Sequence, residues 1–160
     1  MAKWSEPQQM VFAVWWYQAE INNGGHAQFF GNSTGIVWED ALKGLGLMGL
    51  RENQAILQEA VGRLGGAPAK ERQKRLDQLD LFEPTFDDLD QRFDVLMLNN
   101  TLYDGINRYI QEHRASFHFD GTIESTWQAE SVMESRTGRE HPQKETPFCQ
   151  RAFALMNSMV

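Results

Sequence analysis

The sequence predicts an all-α protein: a single-domain bundle of about six to eight helices with no significant sheet. Three observations predict it. Apolar residues recur three and four positions apart through most of residues 7–114, the period of one face of a helix. No stretch alternates strictly between apolar and polar with β-branched residues, as a half-buried strand would. Glycine pairs and prolines cut the pattern into pieces of ordinary helix length.

Each element has its own signal. Ser5 and Gln8 have capping-box spacing, and Pro7 falls in the first turn, where its missing N–H costs little. The first helix then runs to about Asn22. Val11, Val14, Trp15 and Gln18 mark one stripe, thickened by Phe12, Trp16 and Ala19, so this helix is expected to be central and largely buried. Asn23-Gly24-Gly25 tolerates left-handed backbone and stops it. His26–Phe30 reads as a short helical turn, and residues 31–35 break the chain again. Trp38, Ala41, Leu42, Leu45 and Met48 give a helix over about 37–48. Ile56, Leu57, Ala60, Val61 and Leu64 give another over about 52–64, ended by Gly65-Gly66. Pro68 opens a charged helix over about 69–81. Beyond Pro84, Phe86, Leu89, Phe93 and Leu96 recur at helical spacing. Leu102, Ile106, Tyr109 and Ile110 define a helix ending near Arg114. Residues 120–146 are polar with few apolar anchors, and Thr146-Pro147 can start a last helix. Two parts are therefore expected: a helical domain, 1–119, and a polar linker with a C-terminal helix, 120–160, docked on the domain or on a partner subunit.

Composition bounds the function. With 41% apolar and 23% charged residues, the chain belongs with globular proteins. The longest apolar run, Met10–Tyr17, is far short of the ~20 residues a membrane helix needs, and no signal peptide is visible. Cys149 is the single cysteine, so no internal disulfide can form, which fits the cytoplasm. A net charge of −7 disfavours direct binding to nucleic acid or anionic lipid. The charge is uneven. Arg63, Lys70, Arg72, Lys74 and Arg75 stand against Glu71 alone in residues 63–76. Asp77, Asp80, Glu83, Asp87, Asp88, Asp90 and Asp94 follow, against Arg92 alone. The simplest use of such blocks is two solvated helix faces that attract each other.

The most specific stretch is Glu20–Gly35, where an apolar helix meets two amides, two glycines and an aromatic pair. Glu20, Asn22, Asn23, Gln28 and Asn32 could line a polar pocket. More simply, they satisfy backbone groups left free at a helix end, while Phe29 and Phe30 pin the loop to the core. His26 has no ligand or acid–base partner at helical spacing, so it reads as a residue that caps or hydrogen-bonds the loop. His113 and His118 flank a helix end and His141 reads as surface. No metal, cofactor or catalytic residue is expected.

The Glu20–Gly35 stretch resembles a bacterial domain of unknown function named after the DNA mimic proteins. The residues that carry the resemblance are Glu20, Asn23, Gly24, Gly25, Gln28, Phe29, Phe30, Asn32, Ser33 and Gly35. Trp38, Ala41, Leu42, Gly44 and Leu45 continue it, and weaker matches at residues 89–93 and 109–113 extend it over about 7–119. The resemblance implies an all-helical, non-catalytic protein whose acidic surface imitates duplex DNA and occupies the DNA-binding face of a regulator.

Residues 77–94, as one straight helix, would span ~27 Å. Duplex DNA of that length carries about sixteen charges, against seven carboxylates here. One copy is a thin imitation; a symmetric homodimer would come closer. The expected role is thus an acidic protein-interaction module whose partner is a DNA-binding regulator. An immunity or antitoxin-like inhibitor of a basic toxin is the alternative, and a small-molecule enzyme working near Glu20 and His26 the third reading.

Overall fold

A computed structural model describes residues 4–99 and 101–117. Six helices follow one another: α1 Glu6–Gly31, α2 Trp38–Leu47, α3 Arg51–Arg63, α4 Arg72–Phe82, α5 Asp87–Met97 and α6 Thr101–Glu112. Short 3-10 turns, Ser33–Val37 and Arg114–Phe117, follow α1 and α6. No strand occurs among the described residues. The fold is all-α, as the periodicity predicts. The polar linker and last helix expected after residue 120 lie outside the described residues.

The start of α1 is the predicted capping box. The Gln8 N–H donates to Ser5 Oγ at 3.4 Å, and the Ser5 N–H donates to Gln8 Oε1 at 2.8 Å. Gly24 (φ −167°) and Gly25 (φ 73°) leave helical geometry, so α1 is two segments, 6–23 and 26–31, joined at a kink. The predicted stop and short turn are therefore both present.

The buried face of α1 matches the expected stripe only in part, through Val14 and Gln18. Met10, Ala13, Val14, Tyr17 and Ile21 are buried, whereas Val11, Phe12, Trp15, Trp16 and Ala19 are only half-buried. Where apolar residues lie on nearly every side, the 3.6-residue period cannot select a face. The neighbours select it: α1 packs against α2, α4, α5 and α6. One core results, in which Tyr17, Phe29, Phe30, Leu45, Leu57, Leu64, Leu89, Phe93 and Leu102 are fully buried. Each such side chain contributes about 1.5–3 kcal/mol of transfer free energy.

The charged helix starts at Arg72 rather than near 69, for a local reason. Gln78 accepts from the Ala69 N–H at 2.7 Å and donates to the Ala67 carbonyl at 3.0 Å. The helix thus holds its own leader in a non-helical path. Glu83 (φ 42°) and Pro84 then separate α4 from α5, so the acidic segment is two helices rather than one rod.

Candidate functional site

The Glu20–Gly35 stretch folds back on itself around one carboxylate. Glu20 is buried. Its Oε2 accepts from Gln28 Nε2 at 2.7 Å and Asn32 Nδ2 at 2.9 Å, and its Oε1 accepts from Thr34 Oγ1 at 2.6 Å. Burial pushes its pKa up, but the hydrogen bonds from Thr34, Gln28 and Asn32 prevail and hold it below the usual carboxylate value. The Gln28 and Asn32 amides therefore serve Glu20, whereas the sequence reading assigned them to free backbone groups at the helix end. Asn22 and Asn23 are exposed and stand outside this cluster. A Cβ at Gly24 would lie 2.2 Å from Gln28 Oε1, so a side chain there would displace the Gln28 amide from this position.

The backbone of the stretch is held by arginines. Arg75 on α4 is fully buried. Its Nε donates to the Phe30 carbonyl (2.6 Å), its Nη2 to Asn32 (2.5 Å), and its Nη1 to Ala69 (2.6 Å) and Lys70 (3.1 Å). Arg72 adds a bond to the Gly31 carbonyl at 2.8 Å. Gly35 admits the guanidinium: a Cβ there would sit 2.5 Å from the Phe29 carbonyl oxygen and 2.7 Å from Arg75 Nε. Burial lowers the Arg75 pKa, yet the planar fork suits several carbonyls at once.

The kink at Gly25 brings a second cluster together. Asp90 Oδ1 on α5 accepts from His26 Nδ1 at 2.5 Å and from the His26 backbone N–H at 3.0 Å. This fixes the tautomer: Nε2 is the free acceptor and takes the Tyr17 O–H at 2.9 Å. Tyr17 and His26 are fully buried, and the Asp90 side chain is 30% exposed. Burial pushes the Tyr17 pKa well up, with the Asp90 charge adding to it. In this chain of bonds both ring nitrogens of His26 are occupied, so its chemistry is that of a tie between α1 and α5.

Burial lowers the His26 pKa below its ordinary 6.5, with the bond to Asp90 opposing. An unfolded histidine takes up its proton near 6.5, and the folded one only at lower pH. Stability from this group is full above the unfolded value of 6.5 and is lost as pH falls from there through the lower folded value. Urea midpoints are expected to decline as pH falls below about 6.5, and His26→Gln to flatten that decline. An equal slope in the variant would contradict the assignment.

The protein-family model described as DMP19-like protein matches residues 2–113, well over half of the chain. The chain belongs to the DMP19-like family. No curated protein and no solved structure matches it. In this DMP19-like domain the fitted model takes in both clusters and all six helices.

The seven acids of residues 77–94 do not form one free set. Asp90 is turned to His26. Asp88 is clasped by Arg63, which donates from Nη1 to Oδ1 at 2.5 Å and from Nη2 to Oδ2 at 2.6 Å. That pairing, with its own backbone contacts, holds the Asp88 carboxyl at about 2. Asp77, Asp80, Glu83, Asp87 and Asp94 are exposed and make no ion pair among the described residues; Asp77 accepts only from Gln73, at 3.1 Å.

The basic block explains why these five stay unpaired. Arg75 and Arg72 serve carbonyls, Lys70 pairs with Glu39 at 2.8 Å, and Lys74 pairs with Glu71 at 2.9 Å. Arg63 alone reaches an acid of residues 77–94. The two blocks therefore do not neutralise each other, contrary to the simplest sequence reading.

Tyr17, Thr34, Arg72, Arg75 and the pairing of His26 with Asp90 were missed from sequence. A signal for Arg75 existed. On a helix it shares a face with Leu76 and Leu79, an arginine set in an apolar stripe. Of the residues expected to line a pocket near Glu20 and His26, Glu20, Gln28 and Asn32 instead satisfy one another. Among the described residues no group of three His, Cys, Asp or Glu converges to hold a metal, and no helix is long and apolar enough to cross a membrane.

Proposed function

We propose that this DMP19-like domain is a non-catalytic interaction module of the cytoplasm. It presents the carboxylates of α4 and α5 to the nucleic-acid-binding face of another protein, in place of phosphates. One observation carries this reading. Asp77, Asp80, Glu83, Asp87 and Asp94 remain exposed and without an ion pair among the described residues, although five cations precede them in the chain. Membership of a family of DNA mimics supports it. At 100° per residue, Asp87 and Asp94 fall about 20° apart and ~10 Å apart along α5, so both address one partner surface. A second copy related by a two-fold axis would add an equal set. The same carboxylates would suit a basic toxin, and the identity of the partner separates the two.

The test is affinity capture from the native cell, followed by titration of the captured protein. Asp80→Asn, Glu83→Gln, Asp87→Asn and Asp94→Asn together are expected to weaken binding at least about tenfold, roughly 1.4 kcal/mol, and to make its salt dependence shallower. These side chains are exposed and unpaired, so the fold is expected to be kept. Undiminished binding by the variant would overturn the reading.

A further inference from the structure

We infer that the groove between α3 and α5 receives an amphipathic helix of the partner protein, with an apolar side chain seated in the groove and basic side chains on Asp87 and Asp94. This rests on the acidic-face reading and adds to it the shape of what binds.

The groove is built by an ion-pair clasp at one end and its absence at the other. Arg63 pairs with Asp88 and Glu59, and Arg92 Nη1 pairs with Glu59 Oε2 at 2.7 Å. Pairing of 63 with 88 and 59 with 92 makes the two helices antiparallel. Past the clasp they line an open cleft of about 690 Å3 whose apolar side chains are Ala55, Ile56, Val95 and Leu96, with Glu52 and Gln91 among the polar ones. Val95 is 60% exposed, and Leu98, one turn on, is 83% exposed. Apolar side chains left open beside a cleft mark a surface that is covered in use.

Charge decides what covers it. The cation lining the cleft, Arg92, is already paired with Glu59, and Arg63 in the neighbouring clasp with Asp88. Glu52, Asp87 and Asp94 make no ion pair among the described residues. At 100° per residue, the outward side of α5 runs from Asp87 and Asp94, through Leu98 and Gln91, to Val95 at the cleft. A ligand that fills the cleft therefore meets carboxylates along one flank. Along α5, from Asp88 to Leu96, the cleft is ~12 Å long, about two helical turns. A helix with apolar residues three and four apart, flanked by Lys and Arg, matches that length and polarity. A second copy of this chain would bring its own carboxylates against these.

The test uses the full chain and two fluorescein-labelled peptides of equal composition. One carries Leu at helical spacing on a Lys/Arg-rich helix, and the other is its scramble. Wild type is expected to bind the amphipathic peptide about tenfold more tightly than the scramble. Val95→Asp adds a negative charge at an exposed position but spoils the apolar seat. It is expected to weaken the amphipathic peptide about tenfold and to leave the scramble unchanged or tighter. Equal binding of both peptides, or an unweakened Val95→Asp, would overturn the groove while leaving the acidic-face reading in place. Self-association of the wild type that Val95→Asp abolishes would assign the groove to a second copy, and so overturn the inference. Binding of neither peptide would overturn it as well. Partner capture that survives the four-residue charge variant would instead remove the reading beneath it.

Discussion

Arg75→Met is expected to lower stability by about 3–5 kcal/mol, among the largest effects of any single substitution here. Methionine keeps much of the volume, so lost packing is not the reason. The reason is asymmetry. A buried charge can be replaced at little cost when both partners become apolar, but the partners of Arg75 are the backbone carbonyls of Phe30, Asn32, Ala69 and Lys70, which no substitution removes. The Phe30 carbonyl would be left buried without this donor, the part-buried Ala69 and Lys70 carbonyls would lose theirs, and Asn32 would keep only the Gly35 N–H. Arg75→Lys keeps the charge but offers a compact ammonium where a planar fork spans two segments, so it is expected to recover less than about half of the loss. Denaturant unfolding and Tm check this. About 2–4 °C is lost per kcal/mol in a chain of this size. A loss under about 1 kcal/mol would mean that the motif stands without its arginine.

The second large effect is expected at Gly25. Gly25→Ala meets two penalties that a control separates. The backbone at φ 73°, ψ −174° lies in a region essentially confined to glycine and costs a β-carbon about 1–3 kcal/mol. In addition, the new Cβ would lie 2.2 Å from Asp90 Oδ2 and would drive that carboxylate away from His26. The imidazole would then keep a buried Nδ1–H without an acceptor, which costs a further 1–3 kcal/mol or about that. Gly66 has a similar φ of 82° and nothing within 4 Å of a Cβ, so Gly66→Ala reports a positive-φ penalty without the clash, and the His26 titration reads the tie itself. The expected result is a loss about 1–3 kcal/mol greater at Gly25 than at Gly66, together with a changed His26 titration by NMR. Equal losses would show that the Asp90 tie contributes little.

Most of the fold was legible in the sequence because it is written in local chemistry. Ser5 with Gln8, the breaks at Gly24-Gly25 and Gly65-Gly66, and the apolar periods of α2, α3, α5 and α6 all act within a turn or two of themselves. Beyond Val14 and Gln18 the face of α1 was not legible, because a helix that is apolar nearly all round has no preferred side until its neighbours arrive. The clusters were legible only in part. Glu20, Gln28 and Asn32 are close in sequence, and their association follows from the chain folding back over fourteen residues to Thr34. His26 and Asp90 are separated by 64 positions and Arg75 and Phe30 by 45, and no period links them. For the same reason the carboxylates read as one run. Their sorting into tied ones, Asp88 and Asp90, and open ones depends on where Arg63 and His26 end up in space.

That sorting bears on function. The tied residues hold the scaffold: Asp90 joins α5 to α1, and Asp88 joins α5 to α3. The open ones ride on helices whose buried faces are fixed, so their spacing is set by a packed core rather than by a mobile loop. A charge array that must match a partner benefits from such support, since little order has to be bought on binding.

The most direct measurement of the central claim is competition. The protein captured from the native cell, if it binds DNA, is loaded on a labelled duplex and titrated with this chain. The account predicts full displacement of the duplex, with no species holding both, and displacement that fails when Asp80, Glu83, Asp87 and Asp94 are neutralised. A ternary complex in which the partner keeps its duplex while bound to this chain would contradict it.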